Sequence, residues 1–301
     1  MDFFLEVLIA GLLSGVMYSL VALGFVLIFK ASGVFNFAQG TMVLFAALAF
    51  VSLLESGINF WISMLLTFGI MVLLGLAIER VVLRPLINQS PITLLMVTIG
   101  LSFFLEGLAQ ALFGNQVHAL DLGISDDPIF LADYWENAPD ILISSFDIFA
   151  ALTAGLLVAV LALFFNKTKH GRALRAVSDD PAAAQSVGIP LQHVTALVWA
   201  VAGFVALVAG LLWGSRLGVQ FALSVIALKA LPVLIIGGFT SITGAIVGGL
   251  LIGASEKLAE LYVGEWFGIG GIENWFPYVL ALVFLLFRPN GLFGESRINR
   301  V

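Results

Sequence analysis

The sequence predicts an all-α polytopic membrane protein of eight or nine transmembrane helices, with the N-terminus outside and the C-terminus cytoplasmic. Three observations carry that prediction. Hydrophobic residues make up 61% of the 301 and charged residues only 11%, with a mean hydropathy of +1.11, whereas soluble domains run nearer roughly half apolar and a quarter charged. Apolar windows of about 20 residues, the length that crosses a hydrocarbon core as a helix, recur along the chain. The basic residues gather on alternate loops, which sets the orientation.

Taken in order, the windows place helices near 3–29, 34–54, 60–83, 91–113, 146–166, 193–215, 222–239, 242–262 and 275–288. The first begins Met1-Asp2-Phe3 with no basic leader and no small-residue cleavage site, so it reads as a retained span. The seventh and eighth are separated by a tight turn at Thr240-Ser241. Eight is the alternative count, because the glycines from Gly237 to Gly253 suit broken or re-entrant segments, which are tolerated at membrane depth where protein or a water-filled cavity covers them. The whole of 1–301 reads as one transmembrane domain.

Orientation follows from the charges flanking these spans. With the N-terminus outside, the inner loops collect Lys30, Arg80, Arg84, Lys167, Lys169, Arg172, Arg175, Arg288, Arg297 and Arg300, ten of the thirteen basic residues. The outer face carries Asp2, Glu6, Glu55, Glu265, Glu273 and an acidic loop, 114–145, with Asp121, Asp126, Asp127, Asp133, Glu136, Asp140 and no Lys or Arg. That loop is either a solvated connection or a docking surface for an external soluble protein with a basic patch. Glu79 and Arg80, beside Arg84 at an inner span end, serve orientation.

Composition also excludes. There are no cysteines, so thiolate, disulfide and zinc-cysteine chemistry are absent. A net charge of −6 argues against nucleic-acid binding. His118, His170 and His193 are too scattered for a metal-ligand spacing, and no Gly-x-Ser-x-Gly elbow is present. No lysine follows a glycine, so this chain has no phosphate-cradling Gly-Lys-Ser/Thr loop.

The inner loop 167–192 interrupts the apolar pattern. From Ser178-Asp179-Asp180-Pro181 the helix-start signals agree: cap-capable side chains, acids at the positive end, and proline at the first position. Ala182-Ala183-Ala184 propagates the helix and Gly188 with Pro190 stops it. About two turns cannot stand alone in water, and Ala182, Ala183, Ala184, Gln185 and Ser186 offer no broad apolar face. Small side chains suit close approach to a partner protein.

Within the spans, Asn36, Gln39, Gly40 and Thr41 concentrate polarity in an apolar run. They either line a path or mark a helix start with Asn36 or Ser32 as cap. Glu106 and Lys229 are membrane-embedded charges. They pair with each other in the bundle, or each snorkels separately to an interface. Glu256 and Glu260 share a helical face near an outer span end, as a solvated end or as a contact for an external protein.

Four stretches in chain order carry a resemblance: "GVFNFAQGTMVLFAALAF" (33–50), "GRALRAVSDDPAAAQSVGI" (171–189), "GGFTSITGAIVGGLLIGASE" (237–256) and "FRPNGLFG" (287–294). Together they resemble the branched-chain amino acid (LivH-type) permease subunits of ABC importers. The loop departs from the general coupling pattern of Glu-Ala-Ala, three residues, Gly: Ala182 replaces the Glu, and Val198, Ala200 and Val201 stand where many permeases have Ile-x-Leu-Pro.

The resemblance implies a subunit of the bacterial inner membrane that moves a small solute by alternating access. Branched-chain or hydrophobic amino acids fit best, with urea, short amides or other amino acids as alternatives. Its partners would be a second similar permease or a copy of itself, two cytoplasmic ATPases that hold the ATP and Mg, and a periplasmic binding protein. This chain itself would bind no cofactor. Asp179, Asp180, Ala182, Ala183, Ala184, Gln185 and Gly188 would carry ATPase coupling, and Asn36, Gln39, Gly40, Thr41, Glu106 and Lys229 the substrate path. A stand-alone secondary transporter or channel, the competing class, predicts ion-coupling charges and internal inverted repeats.

Overall fold

The computed structural model describes residues 2–86, 89–130, 141–268 and 270–294. Of the outer loop, residues 131–140, with Asp133, Glu136 and Asp140, lie outside the described residues, as do Arg297 and Arg300.

Eleven α-helices are seen among the described residues: α1 Asp2–Ser32, α2 Gln39–Glu55, α3 Phe60–Ala77, α4 Pro91–Phe113, α5 Ser145–Lys167, α6 Lys169–Asp179, α7 Pro181–Ser186, α8 Leu191–Leu217, α9 Ile226–Gly237, α10 Ile242–Phe267 and α11 Phe276–Phe287. Every expected span is helical. Six helical segments are long and apolar enough to cross a membrane, namely α1, α3 with its extension to Leu86, α4, α5, α8 and α10, while 39–55, 221–237 and 276–287 are shorter apolar helices. Leu65, Leu73, Phe103, Leu152 and Leu156 on α3, α4 and α5 are exposed, as helices solvated by lipid require.

Three details differ from the sequence reading. The expected span 34–54 begins later, at Gln39, because Gly33 (φ +67°) ends α1 and residues 33–38 form a non-helical elbow. The Gly-rich stretch 237–253 holds no re-entrant break beyond the turn at 238–241: Ser241 caps α10 by accepting from Gly244 N at 3.0 Å, and the helix runs unbroken to Phe267. The outer loop contains a two-stranded antiparallel sheet, β1 Pro128–Phe130 with β2 Leu142–Ser144.

The chain divides into two compact units. The first comprises Met1–Ala22, Gly123–Ala159 and Leu228–Val301. Here α1 crosses α10 on bare backbone: a Cβ on Gly15 would stand 2.5 Å from Gly249 O, and one on Gly253 would stand 2.5 Å from Gly15 N. Ser19 Oγ donates to Gly15 O and reaches Ile246 O at 3.3 Å. Small residues let membrane helices approach closely enough for dispersion to hold them. The turn after α11 docks on α9, with Leu292 N and Phe293 N donating to Ile236 O and Gly237 O.

The second unit comprises Leu23–Leu122 and Val160–Ala227. Its core is α8 packed on α2 and α3 around fully buried Trp199, Phe50 and Met71. Gly203 lies against Met71 O, and Gly210 against Val43 O, with room for no side chain. After Ala77, α3 continues as a π-helical turn, Ile78–Leu83, then a 3-10 turn, Arg84–Leu86.

Candidate functional site

The loop 167–192 folds into two short helices within the second unit. Thr168 caps α6, its Oγ1 accepting from Gly171 N at 3.2 Å. Gly171 has no side chain to obstruct the turn where α6 folds back on the Phe165 carbonyl. Gly171, Leu174 and Val177 are buried at a spacing of three, and Arg172 and Arg175 are exposed. Sequence reading began the helical region only at Ser178 and so missed α6. Its signal was present in Thr168 as cap with Leu174 and Val177 on one face. Asp179 is therefore the last residue of α6, not the start of the following helix.

The expected cap and stop of α7 are both present. Asp180 Oδ1 accepts from Ala182 N at 2.9 Å and Ala183 N at 3.0 Å, with Pro181 at the first position. Gly188, at φ +84°, reverses the chain, and Gly188 N and Ile189 N donate to Gln185 O and Ala184 O, both at 3.0 Å. These bonds satisfy carbonyls that a helix end leaves free. Ala184 is the buried anchor, whereas Ala182, Ala183 and Gln185 are exposed and Val187 is 75% exposed. A shallow groove of about 350 Å³ lined by Gln185, Gly188, Ile189, Pro190, Leu191, Gln192 and His193 runs beside them.

The elbow brings Asn36, Gln39, Gly40 and Thr41 together. Asn36 Oδ1 accepts from Ala38 N at 3.1 Å, a bond inside the elbow; Ala38 is the N-cap of α2 and no side chain caps that helix. Its Nδ2 reaches Gln39 Oε1 at 3.4 Å, and Asn36 and Gln39 are both fully buried. Thr41 Oγ1 and Ser102 Oγ, on α4, are 2.8 Å apart, and Thr98 Oγ1 donates to Phe35 O at 3.0 Å. Gly40 abuts Ser224 O and the Ala227 side chain. The Gln39 amide nitrogen is buried without a hydrogen-bond partner, packed over Gly24.

Glu106 is half-buried on α4 in the second unit. Lys229 is half-buried on α9 in the first unit, which also holds Glu256. Glu256 is not a solvated helix end: it is 1% exposed and accepts from Tyr18 Oη at 2.9 Å. Glu260 also has partners, accepting from Gly271 N and Glu273 N at 2.8 Å each and pinning the turn before α11. Lys257 pairs with Glu273 at 2.6 Å.

One further cluster escaped sequence reading. Glu79, 3% exposed, accepts from Arg84 Nε at 3.2 Å and Nη2 at 2.7 Å, and from Thr195 Oγ1 of α8 at 3.2 Å. Glu79 and Arg84 are five residues apart, a spacing that does not face on an ordinary helix. The π-helical turn, with its i→i+5 bonding, aligns them.

The described residues thus form a helical protein with six segments long and apolar enough to cross a membrane and a short capped helix in one loop. The chain belongs to the family described as "Branched-chain amino acid transport system / permease component", whose model matches residues 7–288. It is 28% identical to the high-affinity branched-chain amino acid transport system permease protein BraD of Pseudomonas aeruginosa, over 99% of this chain and 98% of the relative. With LivH of Escherichia coli K12 it shares 27% identity over 99% and 98% of the two chains. With a probable LivH of Methanocaldococcus jannaschii it shares 30% over 91% and 88%.

Proposed function

We propose that this chain is a membrane-spanning subunit of an ATP-driven importer in a bacterial inner membrane, and that its solute is a branched-chain or hydrophobic amino acid. The names of the relatives support the solute class. The N-terminus lies outside and the C-terminus inside, which places α6 and α7 in the cytoplasm, as the basic residues on that side favour.

The observation that carries the reading is α7. A helix of six residues is far below the length that is stable alone, yet this one is capped at both ends, anchored by one buried alanine, and turned outward with small side chains. It suits insertion in a cleft of an ATPase subunit. In this mechanism two ATPases, which hold ATP and Mg, close and displace α7. The spans then rock between outward-open and inward-open states, while an external binding protein delivers the solute. A second permease, or a copy of this chain, completes the pore.

ATP and the loaded binding protein drive the cycle only by favouring different states of that equilibrium. The polar elbow borders the path: when α2 separates from the 221–225 turn, Asn36, Gln39 and Thr41 are uncovered, and the unpaired Gln39 amide offers a donor to the solute. Glu106, on α4, sets the charge along the same path.

Reconstitution tests this. Proteoliposomes holding the chain with its partner ATPases and binding protein should take up labelled L-leucine only when ATP is supplied on the ATPase side. Uptake by the chain alone would establish a secondary transporter instead.

A further inference from the structure

Glu79 is a buried acid that no step of solute movement uses, and its surroundings join the two ends of a mechanical link. On one side is Arg84, held bidentate just beyond the π-helical turn that ends α3. On the other is Thr195, in the first turns of α8, a helix that begins at Leu191, three residues after the Gly188 reversal closing α7. Any displacement of α7 reaches Thr195 through that short connection.

Thr195 has one hydroxyl proton and three acceptors at nearly equal range: Glu79 Oε1 at 3.2 Å, Leu191 O at 3.1 Å and Gln192 O at 3.2 Å. A hydroxyl donates to one acceptor at a time. When its proton points to Glu79, α8 is tied to the end of α3; when it returns to its own helix, that tie is gone and Glu79 keeps Arg84. A buried ion pair is a poor stabiliser compared with apolar packing and is best attested where it fixes one arrangement over another. π-Helical turns inside α-helices recur at functional positions.

We propose that Glu79, Arg84 and Thr195 form a releasable clasp that transmits movement of the coupling helix α7 to the end of α3, with Glu79 as a positioning residue. The clasp rests on the coupling role assigned to α7 above. Hydroxyl donation to Glu79 defines the joined state, and its return to Leu191 O or Gln192 O defines the released state. No charge moves and no bond other than hydrogen bonds changes.

The test uses the assembled importer in proteoliposomes, with L-leucine uptake and ATP hydrolysis read in the same vesicles. Thr195→Val keeps the shape and removes the proton. It should lower leucine moved per ATP at least fivefold with hydrolysis within about twofold of wild type, and Thr195→Ser should restore the ratio. An unchanged ratio in Thr195→Val overturns the clasp. Gly188→Val, which strains α7 directly, separates the two readings. If Gly188→Val uncouples and Thr195→Val does not, the clasp alone is wrong; if neither changes the ratio, the coupling role of α7 fails and the clasp with it.

Should Thr195→Val fail to assemble, a distance measurement decides. The chain has no native cysteine, so spin labels at Val81→Cys, exposed on the π-helical turn, and Gln192→Cys, exposed on α8, report the clasp alone. ATP binding should change that distance in the Thr195 protein and leave it fixed in the Glu79→Gln, Arg84→Met pair. An identical shift in both overturns the proposal.

Discussion

The Tyr18 hydroxyl donates to the Glu256 carboxylate over 2.9 Å, joining α1 to α10 across 238 positions of sequence. The carboxylate is 1% exposed and its second oxygen has no hydrogen-bond partner. A buried acceptor that loses its donor retains its desolvation cost, about 1–3 kcal/mol and more for a charged group. Tyr18→Phe should therefore lower the thermal unfolding midpoint of the purified protein in detergent, and Glu256→Gln in the Tyr18→Phe background should recover part of that loss. No recovery would show that the hydroxyl matters through packing instead.

Lys229, on α9, lies in the same unit as Glu256. Lys229→Met and Glu256→Gln should be non-additive in unfolding midpoint, since nearby charges share a field. Strict additivity would show that Lys229 and Glu256 do not interact.

Gly15 and Gly253 set how closely α1 meets α10. Gly15→Val places methyl groups into the Gly249 carbonyl, where a single Cβ already stands 2.5 Å away. Overpacking of that kind costs about 1–3 kcal/mol or more. Limited proteolysis in the membrane should show faster cleavage of Gly15→Val, with Gly69→Val, a site with open space around it, unchanged.

Asp180 is the N-cap of α7, and removing such a cap costs about 0.5–2 kcal/mol, a large share of what holds six residues helical. Asp180→Ala should lower solute moved per ATP, and Asp180→Asn, which caps without the charge, should keep it near wild type. An Asp180→Asn protein as defective as Asp180→Ala points to a charge contact with the ATPase in place of the cap.

At the elbow, Asn36→Ala removes the acceptor for Ala38 N, a buried bond in the turn before α2. Leaving that N–H unsatisfied should cost about 1–3 kcal/mol, visible as a lower unfolding midpoint. Thr41→Val and Ser102→Ala, which share a 2.8 Å hydroxyl bond, should be coupled by roughly 0.6 kcal/mol, the average for such bonds in membranes.

The residues legible in sequence were those governed by near neighbours. Asp180, Pro181 and Gly188 announced the start and stop of α7 because caps, proline and left-handed glycine act within a few positions. Glu79 with Arg84 was not, since a five-residue spacing has meaning only once a π-helical turn exists. Glu256 read as a helix-end acid until α1 brought Tyr18 beside it.

By itself, then, the sequence determined that the chain lives in lipid, roughly where its long apolar helices fall, and that α7 has caps and small side chains, all consequences of local composition and of the free energy of exposing apolar or polar groups. Only the tertiary structure decided which charges share a pocket and which glycines meet. In an apolar solvent hydrophobicity does not discriminate between helix faces, so partners are chosen by close backbone approach and by a few polar contacts, and those depend on how helices distant in sequence cross.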